Sequence, residues 1–269
     1  MGIAPSDFAH AIKQSGRNAH PTNTTIMTAR ERADRLLVAR GLFESRARAQ
    51  AAIAAGRVTA DGVTVRKASD AISSAASIEA APEHPYVSRG GVKLAAALDH
   101  FHIGVADRVC LDVGASTGGF SEVLILRGAR RVYAVDVGRD QLHARLRGRG
   151  KIVSMEQTDI RTLDPSRLAE PPDLAVVDVS FISLKLVLPA IGTLLPPRAT
   201  LIALIKPQFE APRRELKKGI VRDAAIREAV CADIAAFLLA QGWRVRGIMP
   251  SPILGADGNA EFFVEAERG

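Results

Sequence analysis

From residue 88 onward, short apolar runs alternate with longer stretches in which apolar positions recur at helical spacing. The runs are Val109 to Val113, Arg131 to Val135, Lys151 to Met155, Leu174 to Val177, Leu201 to Ile205, Trp243 to Met249 and Glu261 to Ala266. They are of strand length and rich in β-branched residues. Between most of them lie helical patterns: Val92 to His102, Phe120 to Arg127, Leu184 to Leu195 and Ala224 to Gln241. This alternation predicts an α/β domain with a doubly wound, mostly parallel sheet of seven strands, with ligands beyond the carboxyl ends of the strands.

The N-terminal part has a different pattern. Residues 1–27 show no sustained period, are rich in Asn, Thr, Pro, Ala and Ser, and read as a flexible arm. From Thr28, the apolar stripe Leu36, Leu37, Val38, Leu42 predicts a helix closed by Gly41. Ser45 caps a second helix, Arg46 to Ala55, which Gly56 ends, and Val58, Val63 and Val65 flank Asp61-Gly62 as a hairpin. Residues 70–85 read as one last strand followed by a linker. The expected organisation is an arm (1–27), a small α+β domain (28–81), a linker (82–87) and the large domain (88–269).

Charge changes the picture of the small domain. The whole chain carries +7, and residues 28–67 alone hold nine Arg or Lys against four acids. Such a balance points to an anionic partner. The unit of helix, Ser-Arg-rich helix, glycine and valine hairpin resembles the S4 RNA-binding domain. That resemblance makes Arg30, Arg32, Arg35, Arg40, Arg46, Arg48 and Arg57 candidate phosphate contacts.

In the large domain, the first strand runs into Gly114-Ala115-Ser116-Thr117-Gly118-Gly119-Phe120 and then a helix. Glycines there allow a sharp turn and close backbone approach to a ligand, and the helix start offers free N–H groups. A dinucleotide fingerprint would have glycine where Ser116 stands, and Asp112 precedes the loop. An acid at that point suits the cationic amino-acid end of S-adenosylmethionine (SAM) better than a pyrophosphate. Candidate cofactor residues are Asp112, Gly114, Ser116, Gly118, Gly119 and Phe120. Asp136 at the end of the second strand is placed for ribose hydroxyls, and Asp159 after the third for the adenine amino group.

Four more charged residues stand near strand ends or helix starts: Lys93, Asp178, Lys206 and Glu261. The segments Ser88 to Leu94, Asp112 to Phe120, Asp178 to Leu184, Lys206 to Glu210, Lys218 to Asp223 and Gly258 to Phe263 resemble those of the TlyA family. The resemblance covers nearly everything from Thr28 onward. It implies an S4 domain followed by an FtsJ-like, Rossmann-like SAM-dependent methyltransferase that acts on cytidine 2′-hydroxyls in 16S and/or 23S rRNA. It also implies that Lys93, Asp178, Lys206 and Glu261 form a catalytic tetrad with Lys206 as general base. Arg213, Arg214, Lys217 and Lys218, in the loop after Lys206, are further candidates for RNA contact.

The competing readings are a non-catalytic RNA-binding or ribosome-assembly protein on the same fold and a membrane-active haemolysin, a name attached to this family. No apolar stretch reaches the ~20 residues of a membrane span, and no signal-peptide pattern opens the chain, so the expected location is the cytoplasm. The two cysteines and six histidines lack metal-ligand spacing, so no metal is expected.

Overall fold

A computed structural model describes residues 29–255 and 258–269, so the expected N-terminal arm lies outside the described residues. The described chain separates into two compact units, divided between Pro85 and Tyr86.

The small unit runs β1 (Arg30–Arg32), α1 (Ala33–Ala39), α2 (Arg46–Ala54), β2 (Val58–Ala60), β3 (Val63–Thr64), β4 (Ala71–Ser73) and β5 (Ile78–Ala80). The Asp61-Gly62 hairpin is present: Ala60 faces Val63, and both turn residues have positive φ, as a tight two-residue turn requires. Two expectations are corrected. The chain from Arg30 to Arg32 is a strand, not the start of a helix, because it pairs antiparallel with Ala71–Ser73. Residues 70–85 hold two strands, not one, and the second, β5, pairs with β2. Leu36, Leu37, Phe43, Ala49, Ile53, Val58, Ile72 and Ile78 fill the core of this unit.

The large unit continues with α3 (Arg89–His100), β6 (Val109–Val113), α4 (Gly119–Leu126), β7 (Arg131–Val135), β8 (Ile152–Met155), β9 (Leu174–Val177), α5 (Leu184–Leu194), β10 (Ala199–Ile205), α6 (Pro207–Glu210), α7 (Ala224–Ala240), β11 (Arg244–Pro250) and β12 (Phe262–Arg268). Seven strands form one sheet in the order β11-β12-β10-β9-β6-β7-β8. The pairs from β10 through β8 are parallel, and β12 runs antiparallel to both of its neighbours.

Strand parity divides the core. Val109, Leu111 and Val113 face the layer that holds α5 and α7, whereas Cys110 faces the layer built on Leu94, Leu98, Phe120 and Leu124 from α3 and α4. A sheet covered by helices on both faces leaves its strand ends as the open edge. The registers Val113 with Val177 and Ile205 with Phe262 then bring Gly114 beside Asp178, and Lys206 beside Glu261.

Candidate active site

Those strand ends line a cleft with two lobes. One, of about 630 Å³, contains Lys93, Asp178, Lys206 and Glu261 together with Gly114, Ser116, Gly119 and Phe120 of the glycine loop. The other, of about 460 Å³, contains Asp136, Val137, Thr158 and Asp159. Gly114, Ser116, Asp178, Ser180 and Phe181 border both lobes.

The four charged residues form two ion pairs. Lys93, on α3, is paired with Glu261 just before β12, with only 9% and 3% of the two side chains exposed. Lys206 Nζ lies 2.6 Å from Asp178 Oδ1 and donates to Ser180 Oγ at 2.8 Å. Burying single charges costs several kcal/mol, so lysines in such a place need their acids. The arrangement holds two lysine amino groups at the mouth of a parallel sheet, each with its own carboxylate.

Backbone geometry draws the glycine loop against this cluster. Gly114 has φ +82°, and a Cβ added there would lie 2.5 Å from the carbonyl oxygen of Asp178. A side chain at Gly119 would meet Ser88 Oγ at 2.1 Å and the Gly91 nitrogen at 3.0 Å. Gly118 does not line the cleft; it faces Leu142 and Leu146. Phe120 is buried against Phe263 with ring centroids 6.2 Å apart.

The three further acids have different settings. Asp136 lines the smaller lobe and accepts from the backbone N–H groups of Ser116 and Gly138, both at 2.7 Å. Asp159 lines the same lobe, but Arg161 grips its carboxylate and holds it below the ordinary carboxylate range. Asp112 is fully buried and lines neither lobe. The expectation that it stands open to a ligand is corrected by parity: it lies two residues from Cys110 and so points at α4, where Ser121 Oγ donates to its Oδ2 at 2.6 Å. Burial raises the Asp112 carboxyl to about 7, and its Oδ1 has no hydrogen-bond partner.

The candidate RNA contacts of the small unit are likewise unequal. Arg32 and Arg46 clasp the buried carboxylate of Asp34, which also accepts from Gln50. Arg30 and Arg40 donate to backbone carbonyls of Ala71 and Ala76. Arg48 lies 3.8 Å from Glu44, and Arg35 and Arg57 are exposed. In the loop after α6, Arg213, Lys217 and Lys218 are exposed and Arg214 pairs with Glu215.

Residues outside the sequence-based set complete the site. Phe181 is 90% exposed, has φ +64°, and lies 5.0 Å from the Phe209 ring. Its aromatic character is visible in Asp178-Val179-Ser180-Phe181, but its exposure is a tertiary property. Asn259 is buried and donates to the Gly219 carbonyl at 3.3 Å. Among the described residues, no group of His, Cys, Asp and Glu could hold a metal ion, and no helix is long and apolar enough to cross a membrane.

Residues 86–268 match the profile of the FtsJ-like methyltransferases, and residues 31–76 match that of the S4 domain. The chain is 42% identical over 241 residues to the 16S/23S rRNA (cytidine-2′-O)-methyltransferase TlyA of Mycobacterium tuberculosis, covering 88% of this chain and 90% of that one. The chain belongs to the TlyA family. A second relative, named Hemolysin A, from Brachyspira hyodysenteriae, is 40% identical over 233 residues, 86% of this chain and 97% of its own. A solved Streptococcus thermophilus structure, also named as a hemolysin, has 42% identity and a TM-score of 0.71, covering 90% of this chain and 89% of its own.

The methyl donor of an FtsJ-like domain is SAM. The chemistry of the smaller lobe fits it. Asp136 and Asp159 line that lobe, and Asp178 borders it. A cation with hydroxyl and amino donors matches such a set of acceptors.

Proposed function

We propose that this protein methylates the 2′-hydroxyl of cytidine in 16S and/or 23S rRNA, using SAM. Residues 28–81 bind RNA, residues 82–87 act as a linker, and residues 88–269 carry the chemistry. The observation that carries this reading is the pair of buried, acid-matched lysines in the same cleft as the glycine loop. The name of the Mycobacterium tuberculosis relative supports the substrate. A ribosomal substrate supports a cytoplasmic location.

SAM, when bound, supplies a methyl group activated on a sulfonium. Asp136 accepts from the ribose hydroxyls of the cofactor, and the loop from Gly114 to Gly119 gives backbone access to it. A ribose hydroxyl is a poor nucleophile until a base takes its proton, which contributes about 10²- to 10⁴-fold in rate. Lys206 is that base, oriented by Asp178 and Ser180. Lys93, held in place by its ion pair with Glu261, steadies the developing negative charge on the ribose oxygen. Phe181, backed by Phe209, offers the target base a stacking face, worth about 1 to 3 kcal/mol per base.

Transfer of labelled methyl from SAM to isolated ribosomal subunits tests the reading. Incorporation that Lys206→Ala abolishes supports it. Binding without incorporation favours a non-catalytic RNA-binding protein, and incorporation that survives Lys206→Ala removes Lys206 as base.

A further inference from the structure

Arg139, Arg145, Arg147, Arg149 and Lys151 make the segment between β7 and β8 the most basic stretch of the large unit outside the loop after α6, and Asp136 and Asp140 are its two acids. Its cations fall into two groups. Arg139 lies 3.4 Å from Asp140, and Arg145 donates to the buried Glu122 at 3.0 Å. Among the described residues, Arg147 and Arg149 donate only to main-chain carbonyls, of Leu142 and Asp140 and of Arg145 respectively, although Glu156 is close enough to Arg147 to feel its charge. The Lys151 side chain has no partner among the described residues, and its carbonyl accepts from the Val132 N–H. A guanidinium bonded to a neutral carbonyl keeps its full charge, so the Arg147-Gly148-Arg149-Gly150-Lys151 turn carries three cations with no salt bridge of their own. All five residues are exposed, and nothing lies near either glycine.

The chain leading into this turn is held in shape. Glu156 accepts the backbone N–H groups of Asp140, Gln141 and Leu142. Leu142 and Leu146 are buried beneath Gly118, and the His143 N–H donates to the Thr117 carbonyl of the glycine loop at 3.2 Å. The segment therefore starts beside Asp136 at the carboxyl edge of the sheet and is built onto the loop proposed to hold SAM.

We propose that the turn from Arg147 to Lys151 is a phosphate-backbone contact for the rRNA substrate, separate from the S4 unit and from the loop after α6. The inference rests on the proposed function. The turn closes at the amino edge of the sheet, where the Val132 N–H donates to the Lys151 carbonyl and the Ile152 N–H to that of Arg149, so it presents a polyanion with a preordered cationic surface apart from the cleft and loses little entropy on meeting it. Contacts of this sort release counterions, so they are read from the salt dependence of binding.

The test is binding of the full-length protein to isolated ribosomal subunits across a salt series, with Arg147, Arg149 and Lys151 all changed to Gln. A second variant carries only Arg149→Gln and Lys151→Gln, which leaves the Arg147 bond to Leu142 in place. The inference predicts that the log–log salt slope falls by about 2 to 3 in the triple variant and about 1.5 to 2 in the double, with affinity down on the order of tenfold. SAM affinity by calorimetry stays unchanged. An unchanged slope, or lost SAM affinity with an unchanged slope, overturns the inference. So does wild-type binding to anionic phospholipid vesicles that is tighter than binding to subunits. Binding needs no methyl transfer, so a wild type that binds subunits but methylates neither sinks the proposed function and still leaves the salt slope to decide this surface.

Discussion

Lys93 and Glu261, 168 residues apart in sequence, form one buried ion pair that ties the first helix of the large unit to the start of its last strand. The pair exists because β12 inserts antiparallel between β10 and β11, which brings its beginning to the edge where the parallel strands end. Glu261→Ala leaves an ammonium buried without its acid, and the large unit loses about 3 to 5 kcal/mol by chemical denaturation. The double variant Lys93→Met, Glu261→Gln recovers most of that stability and no methyl transfer. Recovered transfer would mean that the pair is structural only.

Gly114→Ala combines a left-handed backbone with a Cβ 2.5 Å from the Asp178 carbonyl. It costs about 1 to 3 kcal/mol and, by moving Asp178 away from Lys206, lowers methyl transfer by tenfold or more. Gly104→Ala, with nothing within 4 Å, changes neither. Thermal unfolding and single-turnover transfer, measured on both variants, check this.

Asp112 predicts a pH dependence of stability. Burial raises its carboxyl from 3.8 to about 7, against the Ser121 hydrogen bond and with help from Asp178 and Asp136. Between about pH 4 and pH 7 the folded chain keeps a proton that the unfolded chain has lost. This group therefore costs stability as pH rises through that window and levels off above it. Asp112→Asn removes the cost, so its stability relative to wild type rises from pH 4 to pH 7, by roughly 2 to 4 kcal/mol. Urea unfolding of both proteins at pH 5 and pH 8 measures the difference; parallel curves would contradict it.

Asp34 is the counterpart in the small unit. Hydrogen bonds first from Arg32 and then from Arg46 hold its carboxyl far below the ordinary range, so the stability it contributes is present above about pH 4 and is lost as pH falls below it. Asp34→Asn removes that contribution and destabilises the small unit by about 1 to 3 kcal/mol at pH 7. Amide exchange in α1 and α2 reports the change.

Phe181→Ala removes a side chain that is almost entirely exposed. The melting temperature stays within about 2 °C of wild type, whereas KM for the subunit rises or kcat falls by about fivefold or more. An unchanged steady state would remove Phe181 from the substrate surface.

The alternation of apolar runs was enough to read the large unit, because a sheet covered on both faces needs near-continuous apolar strands. Strand direction was not legible: Glu261 to Ala266 reads as a strand but carries no sign of running antiparallel. Chain order therefore named Lys93 and Glu261 without saying that they pair. Parity within Val109 to Val113 was legible and places Asp112 beneath α4; reading the glycine loop as a motif pointed it at the ligand instead. Arg30 to Arg32 has no apolar alternation, and only its partner, Ala71–Ser73, makes it a strand. The S4 arginines read as one basic face, but a single buried carboxylate, Asp34, holds two of them.

The central claim is tested most directly by mapping alkali-resistant linkages in 16S and 23S rRNA after incubating unmodified ribosomal subunits with the protein and SAM. The account predicts a new resistant linkage 3′ to a cytidine, absent without SAM and absent with Lys206→Ala. Methylation on a base, or no new linkage in either rRNA, would contradict it.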